Sequence, residues 1–173
     1  MKYLIENKLM SFGGSSKITD EQGKVAYIAK GSIFGNLILK FYKKTIIDAS
    51  TKKKLFYVRN KFWHKPFQKS AIIYNDKKQK MAIVRTSNLF KHAYEVVGGT
   101  QPINVEGTGW NLDITFGDQK VGHIAPPSED MVKNFFRVTD GYSLEVLDKE
   151  DATFLIALVI AIDNIHDQQR RDK

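Results

Sequence analysis

The chain has no cysteine, which excludes a disulfide framework, a thiol nucleophile and a thiolate metal site. Only four histidines occur, at His64, His92, His123 and His166. They are far apart and none stands in ligand spacing such as His-Glu-x-x-His, so no metal is expected. There is no Gly-x-Ser-x-Gly elbow, no phosphate-binding loop and no strand-led Gly-x-Gly-x-x-Gly; Gly98-Gly99 and Gly107-Thr-Gly109 read as hairpin ends. Neither catalysis nor a cofactor is therefore expected. The N-terminal ten residues have no continuous apolar core and do not read as a signal peptide. The longest apolar run, Ala152–Ile162, is 11 residues counting Thr153. At about 1.5 Å per residue it spans about 16 Å, roughly half a bilayer core. No transmembrane span is expected. The expected location is cytoplasmic, with peripheral membrane contact allowed.

What is present is a long series of short β-forming segments followed by that apolar run. Lys17–Asp20 and Val25–Ala29 flank a Glu-Gln-Gly turn, Ala71–Tyr74 and Met81–Arg85 flank Asn75–Lys78, and Trp110–Phe116 and Val121–Ala125 flank Gly117–Lys120. Leu37–Tyr42 and Thr45–Asp48 read as strands joined by Lys43-Lys44, with Leu55–Arg59 next. Phe135–Val138 and Tyr142–Val146 pair across Thr139-Asp-Gly. About twelve strands at a spacing of about 8–12 residues indicate an antiparallel barrel or sandwich. Phe154, Leu155, Ile156, Ala157, Leu158, Val159, Ile160 and Ile162 cover every face of a helix, and such a helix must be surrounded. Asp148 can cap it, with Glu150 and Asp151 at the positive end of its dipole. The expectation is mainly β: about twelve strands closed into a barrel around a buried C-terminal helix. A single domain over 1–167, with the helix at about 150–166, would leave 168–173 as a charged tail.

Charge is unevenly distributed within a net +8. Between Lys40 and Arg85 stand fourteen Lys or Arg and two acids, whereas Gln101–Lys173 holds seven basic and thirteen acidic residues. Such polarity suits an anionic partner for the middle of the chain. The candidate block is Lys40, Lys43, Lys44, Lys52, Lys53, Lys54, Arg59, Lys61, Trp63, Lys65 and Lys69. A solvated barrel surface, with Trp63 as a lid over one end, is the plain alternative. Nucleic acid is disfavoured, because the one long helix is buried and cannot read a groove.

The segment Tyr142-Ser-Leu-Glu-Val-Leu-Asp-Lys-Glu-Asp, followed by the helix and its ending Ala161-Ile-Asp-Asn-Ile165, resembles the C-terminal signature of the LURP-one-related family. That family belongs with tubby C-terminal and phospholipid-scramblase domains. The hairpins Ile18–Val25, Ile72–Asp76 and Leu112–Ile124 agree with it. The resemblance implies a twelve-stranded antiparallel barrel around a central C-terminal helix. For function it implies less: tubby domains bind phosphoinositides, scramblases move lipid with calcium, and plant relatives are linked to defence. No lysine here aligns residue by residue with the tubby phosphoinositide site. Asp148, Glu150 and Asp151 lack the EF-hand loop pattern and read as helix-start residues. The resulting expectation is a non-enzymatic tubby-like domain binding anionic phospholipid head groups through a basic face. The alternatives are a protein-interaction scaffold, and with less support a scramblase or a nucleic-acid binder. Asp163 and Asn164 are expected to bond the barrel rim or the last helical turn.

Overall fold

The computed structural model describes residues 1–7, 15–31, 43–61, 68–86, 93–98, 102–129 and 141–171. Alternation of inward apolar and outward polar side chains organises twelve short strands. In chain order they are β1 (Lys2–Asn7), β2 (Ser16–Asp20), β3 (Val25–Gly31), β4 (Lys43–Asp48), β5 (Lys54–Asn60) and β6 (Ser70–Asn75). The second half comprises β7 (Lys80–Thr86), β8 (Tyr94–Val97), β9 (Ile103–Thr108), β10 (Asn111–Phe116), β11 (Gln119–Ala125) and β12 (Gly141–Val146). Each pairs antiparallel with its neighbour in sequence, and β1 pairs with β12, placing Tyr3 opposite Leu144 and Ile5 opposite Tyr142. The sheet is therefore a closed barrel with no free edge. The expected strands Leu37–Tyr42 and Phe135–Val138 lie outside the described residues. Lys43 and Lys44, expected as a connection, are instead the first residues of β4.

Inside the barrel runs α1 (Ala152–Arg171), entered through a 3-10 turn at Lys149–Asp151. Every residue from Leu155 to Ile165 is buried. They pack against inward strand residues such as Ile46, Val58, Ile73, Ile114 and Leu144. Each large aliphatic side chain removed from water contributes about 1.5–3 kcal/mol, so the helix and wall stabilise each other. Phe154, at the entrance, meets the edges of Phe56 and Phe116. The helix runs past the expected end near 166, because Gln168 still finds a wall partner: its Oε1 accepts from Asn60 Nδ2 at 2.9 Å.

At the end where α1 enters, the β2–β3, β4–β5, β6–β7 and β10–β11 connections are short turns. Each of these hairpins also carries a register shift between its strands. The recurring polar turn seen in the sequence is this unit. In the β4–β5 turn, Asp48 accepts from the Ser50 hydroxyl at 2.7 Å and from the Ser50 and Thr51 amides at 2.9 and 2.7 Å. The Ser50 hydroxyl, with the Thr51 bonds, holds the Asp48 carboxyl down to about 2. Its support of the turn is therefore present above the ordinary aspartate range and lost as pH falls through about 2.

Gly98 closes β8 at the same end with φ +125°, and a Cβ there would sit 2.4 Å from the Met81 carbonyl oxygen. Gly98→Ala is expected to destabilise the barrel by about 1–3 kcal/mol. The check is the urea midpoint, and an unchanged midpoint would show that the loop yields freely.

Candidate functional site

Folding splits the basic block between the two ends of the barrel. Lys40, Trp63 and Lys65 lie outside the described residues. Lys52, Lys53 and Lys54 stand exposed at the β4–β5 turn, on the end where α1 enters. Lys43, Arg59 and Lys61 are exposed at the opposite end, and Lys69 is half-buried there. Lys43 is the direct cross-strand partner of Arg59. The Arg59 guanidinium lies over the Tyr74 ring, 5.6 Å from its centroid, and donates to its hydroxyl at 3.0 Å.

Lys44 does not join the surface at all. It is 5 % exposed, and its Nζ donates to Asp163 Oδ2 of the central helix at 2.8 Å. The cause is strand parity: in β4, Lys44 and Ile46 share the inward face. A run of two lysines therefore sends one side chain out and one in. Adjacent to this pair, Asn60 Nδ2 donates to the Asn164 carbonyl at 3.1 Å. His166 Nε2 lies 2.6 Å from the Tyr94 hydroxyl, and Trp110 stacks between Tyr142 and His166 at 4.3 and 4.7 Å.

These contacts form a polar collar around the outgoing half of α1. Asn60 Oδ1, the Tyr142 hydroxyl and both ends of the Asn164 amide have no hydrogen-bond partner among the described residues. Burial pushes the Tyr142 and Tyr94 hydroxyls well above the ordinary tyrosine range, Asp163 and Asp167 adding to the effect at Tyr142. Both therefore stay protonated at any physiological pH. Its bonds tie β4, β5 and β8 to the helix, so its chemistry anchors the helix.

Among the described residues, a second group of exposed lysines lies at the other end. Because β5 pairs with β6, Phe56 opposite Asn75, the β4–β5 and β6–β7 turns are neighbours on one rim. The second turn adds Lys77, Lys78 and Lys80, all exposed, which the sequence reading counted in the basic stretch but left out of the block. Their signal was available: in an up-and-down meander, alternate turns share an end. Lys52 Nζ folds back onto the Ala49 carbonyl at 2.6 Å. Lys53, Lys54, Lys77, Lys78 and Lys80 make no ion pair among the described residues. Of the two acids within these two turns, Asp48 is held by its own turn and Asp76 is exposed.

Backbone geometry singles out the same rim. Among the described residues, the non-glycine positions with positive φ are Lys52 (60°) and Lys78 (61°), one on each tip. The corresponding position of the β2–β3 turn is Gly23 at 78°. A Cβ in this conformation costs about 1–2 kcal/mol. Beside the lysines, Met81 is 44 % and Val97 43 % exposed. Met81 lies at the β6–β7 register shift, and Val97 is paired with Ile83.

No helix among the described residues is long and apolar enough to cross a membrane. A family model described as LURP-one-related matches residues 1–163. Neither a curated protein nor a solved structure matches the chain.

Proposed function

The chain belongs to the LURP-one-related family, and on that premise we propose that it is a non-enzymatic domain that binds anionic phospholipid head groups. The observation that carries the reading is the five exposed lysines on two neighbouring hairpin tips, none in an ion pair among the described residues. Cations left without protein partners retain their full attraction for phosphates at a lipid surface. Each lysine close to such a surface contributes about 1 kcal/mol, and the attraction fades within a Debye length. Lipid scrambling fits the molecule poorly, since the apolar helix that would have to enter lipid fills the barrel.

Co-sedimentation with vesicles tests the reading. Vesicles containing phosphatidylserine should bring the protein down at low salt and release it as salt rises, while phosphatidylcholine vesicles should not. Replacing Lys53, Lys54, Lys77 and Lys78 together by Glu should weaken the binding by at least about a hundredfold. Equal indifference to both vesicle types at low salt would remove the proposal.

A further inference from the structure

The rim that carries the lysines also carries exposed apolar side chains and an unusual backbone, and together these fix an orientation. We propose that the protein docks on an anionic bilayer with its tight-turn end down. The β4–β5 and β6–β7 tips would then meet the phosphates, and Met81 and Val97 would enter the head-group layer. This rests on the lipid-binding reading above and adds the side of the molecule that makes the contact.

Three independent features converge on that side. The first is charge: Lys53, Lys54, Lys77, Lys78 and Lys80 are exposed on two adjacent turns. An anionic surface is the complementary partner.

The second is conformation. Lys52 and Lys78 hold the left-handed backbone that the β2–β3 and β10–β11 turns give to glycines, Gly23 at 78° and Gly117 at 57°. Lys52 has a local use for its side chain, through the bond to the Ala49 carbonyl. The Lys78 amide donates to the Asn75 carbonyl at 3.0 Å, a bond that glycine would make equally, and the lysine side chain makes no hydrogen bond or ion pair among the described residues that would offset the strain. Strain held at an exposed position without an internal return points to an external one.

The third is apolar exposure. Met81, at the β6–β7 register shift, and Val97, at the end of the adjoining strand, present outward at 44 % and 43 %. The Met81 carbonyl lies where a Cβ on Gly98 would stand, so the two strand ends are in close contact. Bulges re-aim side chains at the rims of barrels, and an apolar pair beside unpaired lysines matches the polarity step of a lipid interface.

The absence of cysteine makes the test clean, since a single introduced thiol can be labelled without background. Met81→Cys and, as the far-end control, Thr108→Cys, which is exposed at the other end of the barrel, are each labelled with a polarity-sensitive fluorophore. They are then mixed with phosphatidylserine-containing vesicles. The label at 81 should shift to the blue and be quenched by brominated acyl chains, and the label at 108 should do neither.

Co-sedimentation of the same labelled proteins separates the two ideas. Binding without a shift at 81, or with the shift at 108, overturns the orientation and leaves lipid binding standing. Absence of binding overturns both. A shift at 81 with a soluble inositol phosphate in place of vesicles would indicate a free phosphate ligand and likewise overturn bilayer docking. Lys78→Gly supplies a second readout. It should raise the thermal unfolding midpoint while weakening vesicle binding about fivefold. A higher midpoint with undiminished binding would mean that Lys78 does not touch the bilayer.

Discussion

Leu158→Lys is expected to leave no folded protein. Leu158 is 0 % exposed in the middle of α1, and the wall of twelve paired strands around it is closed. A lysine at a helix end can extend its ammonium to water, but from this position there is no route past the barrel wall. The charge would have to be buried unpaired or give up its proton, and either costs several kcal/mol. That comes on top of the lost leucine packing, within a total stability of about 5–15 kcal/mol for such a domain. The expected observation is insoluble protein, or soluble material without a cooperative unfolding transition. Leu158→Ala, which removes packing without adding charge, should stay folded and lose about 2–5 kcal/mol. A soluble Leu158→Lys protein that unfolds cooperatively would be incompatible with the helix filling the barrel.

The second large effect belongs to the buried ion pair. Lys44→Met leaves the Asp163 carboxylate in the collar without its ammonium, and Asp163→Leu strands the Lys44 ammonium. Each should cost about 3–5 kcal/mol, because taking the opposite charge away from a buried ion is far worse than removing both charges. Combining Lys44→Met with Asp163→Leu should recover much of the loss, since two apolar side chains can replace a buried pair at little net cost. Urea titration of the four proteins gives the coupling directly. If the double variant loses the sum of the two single losses, the pair is not energetically linked. The parent protein's stability should also respond weakly to salt at this pair, because burial shields it from counter-ions.

Much of this architecture was legible in the order of residues. The apolar run Ala152–Ile162 demanded surroundings on all sides, and its length was too short for a bilayer. The recurring polar turns supplied about the right number of strands to surround it. Those are local properties, set by periodicity and by the turn chemistry of Asp, Asn and Gly, and they survive folding unchanged. The basic block was legible only as composition. Nothing in the run from Lys40 to Lys69 says which lysines face outward.

Tertiary structure decided that question. Side-chain direction in a strand alternates residue by residue, so where β4 begins determines that Lys43 faces solvent while Lys44 points to Asp163, 119 positions away in the chain. Which end of the barrel a lysine occupies depends on the count of strands before it. That count separates Lys53 and Lys54 from Lys43 and Arg59, and it brings Lys77, Lys78 and Lys80 beside the first pair. The sequence by itself determined that a helix would be enclosed by strands, because burying apolar surface is a demand each segment makes alone. Only closure of the barrel decided where charge would gather, because that depends on register between segments distant in the chain.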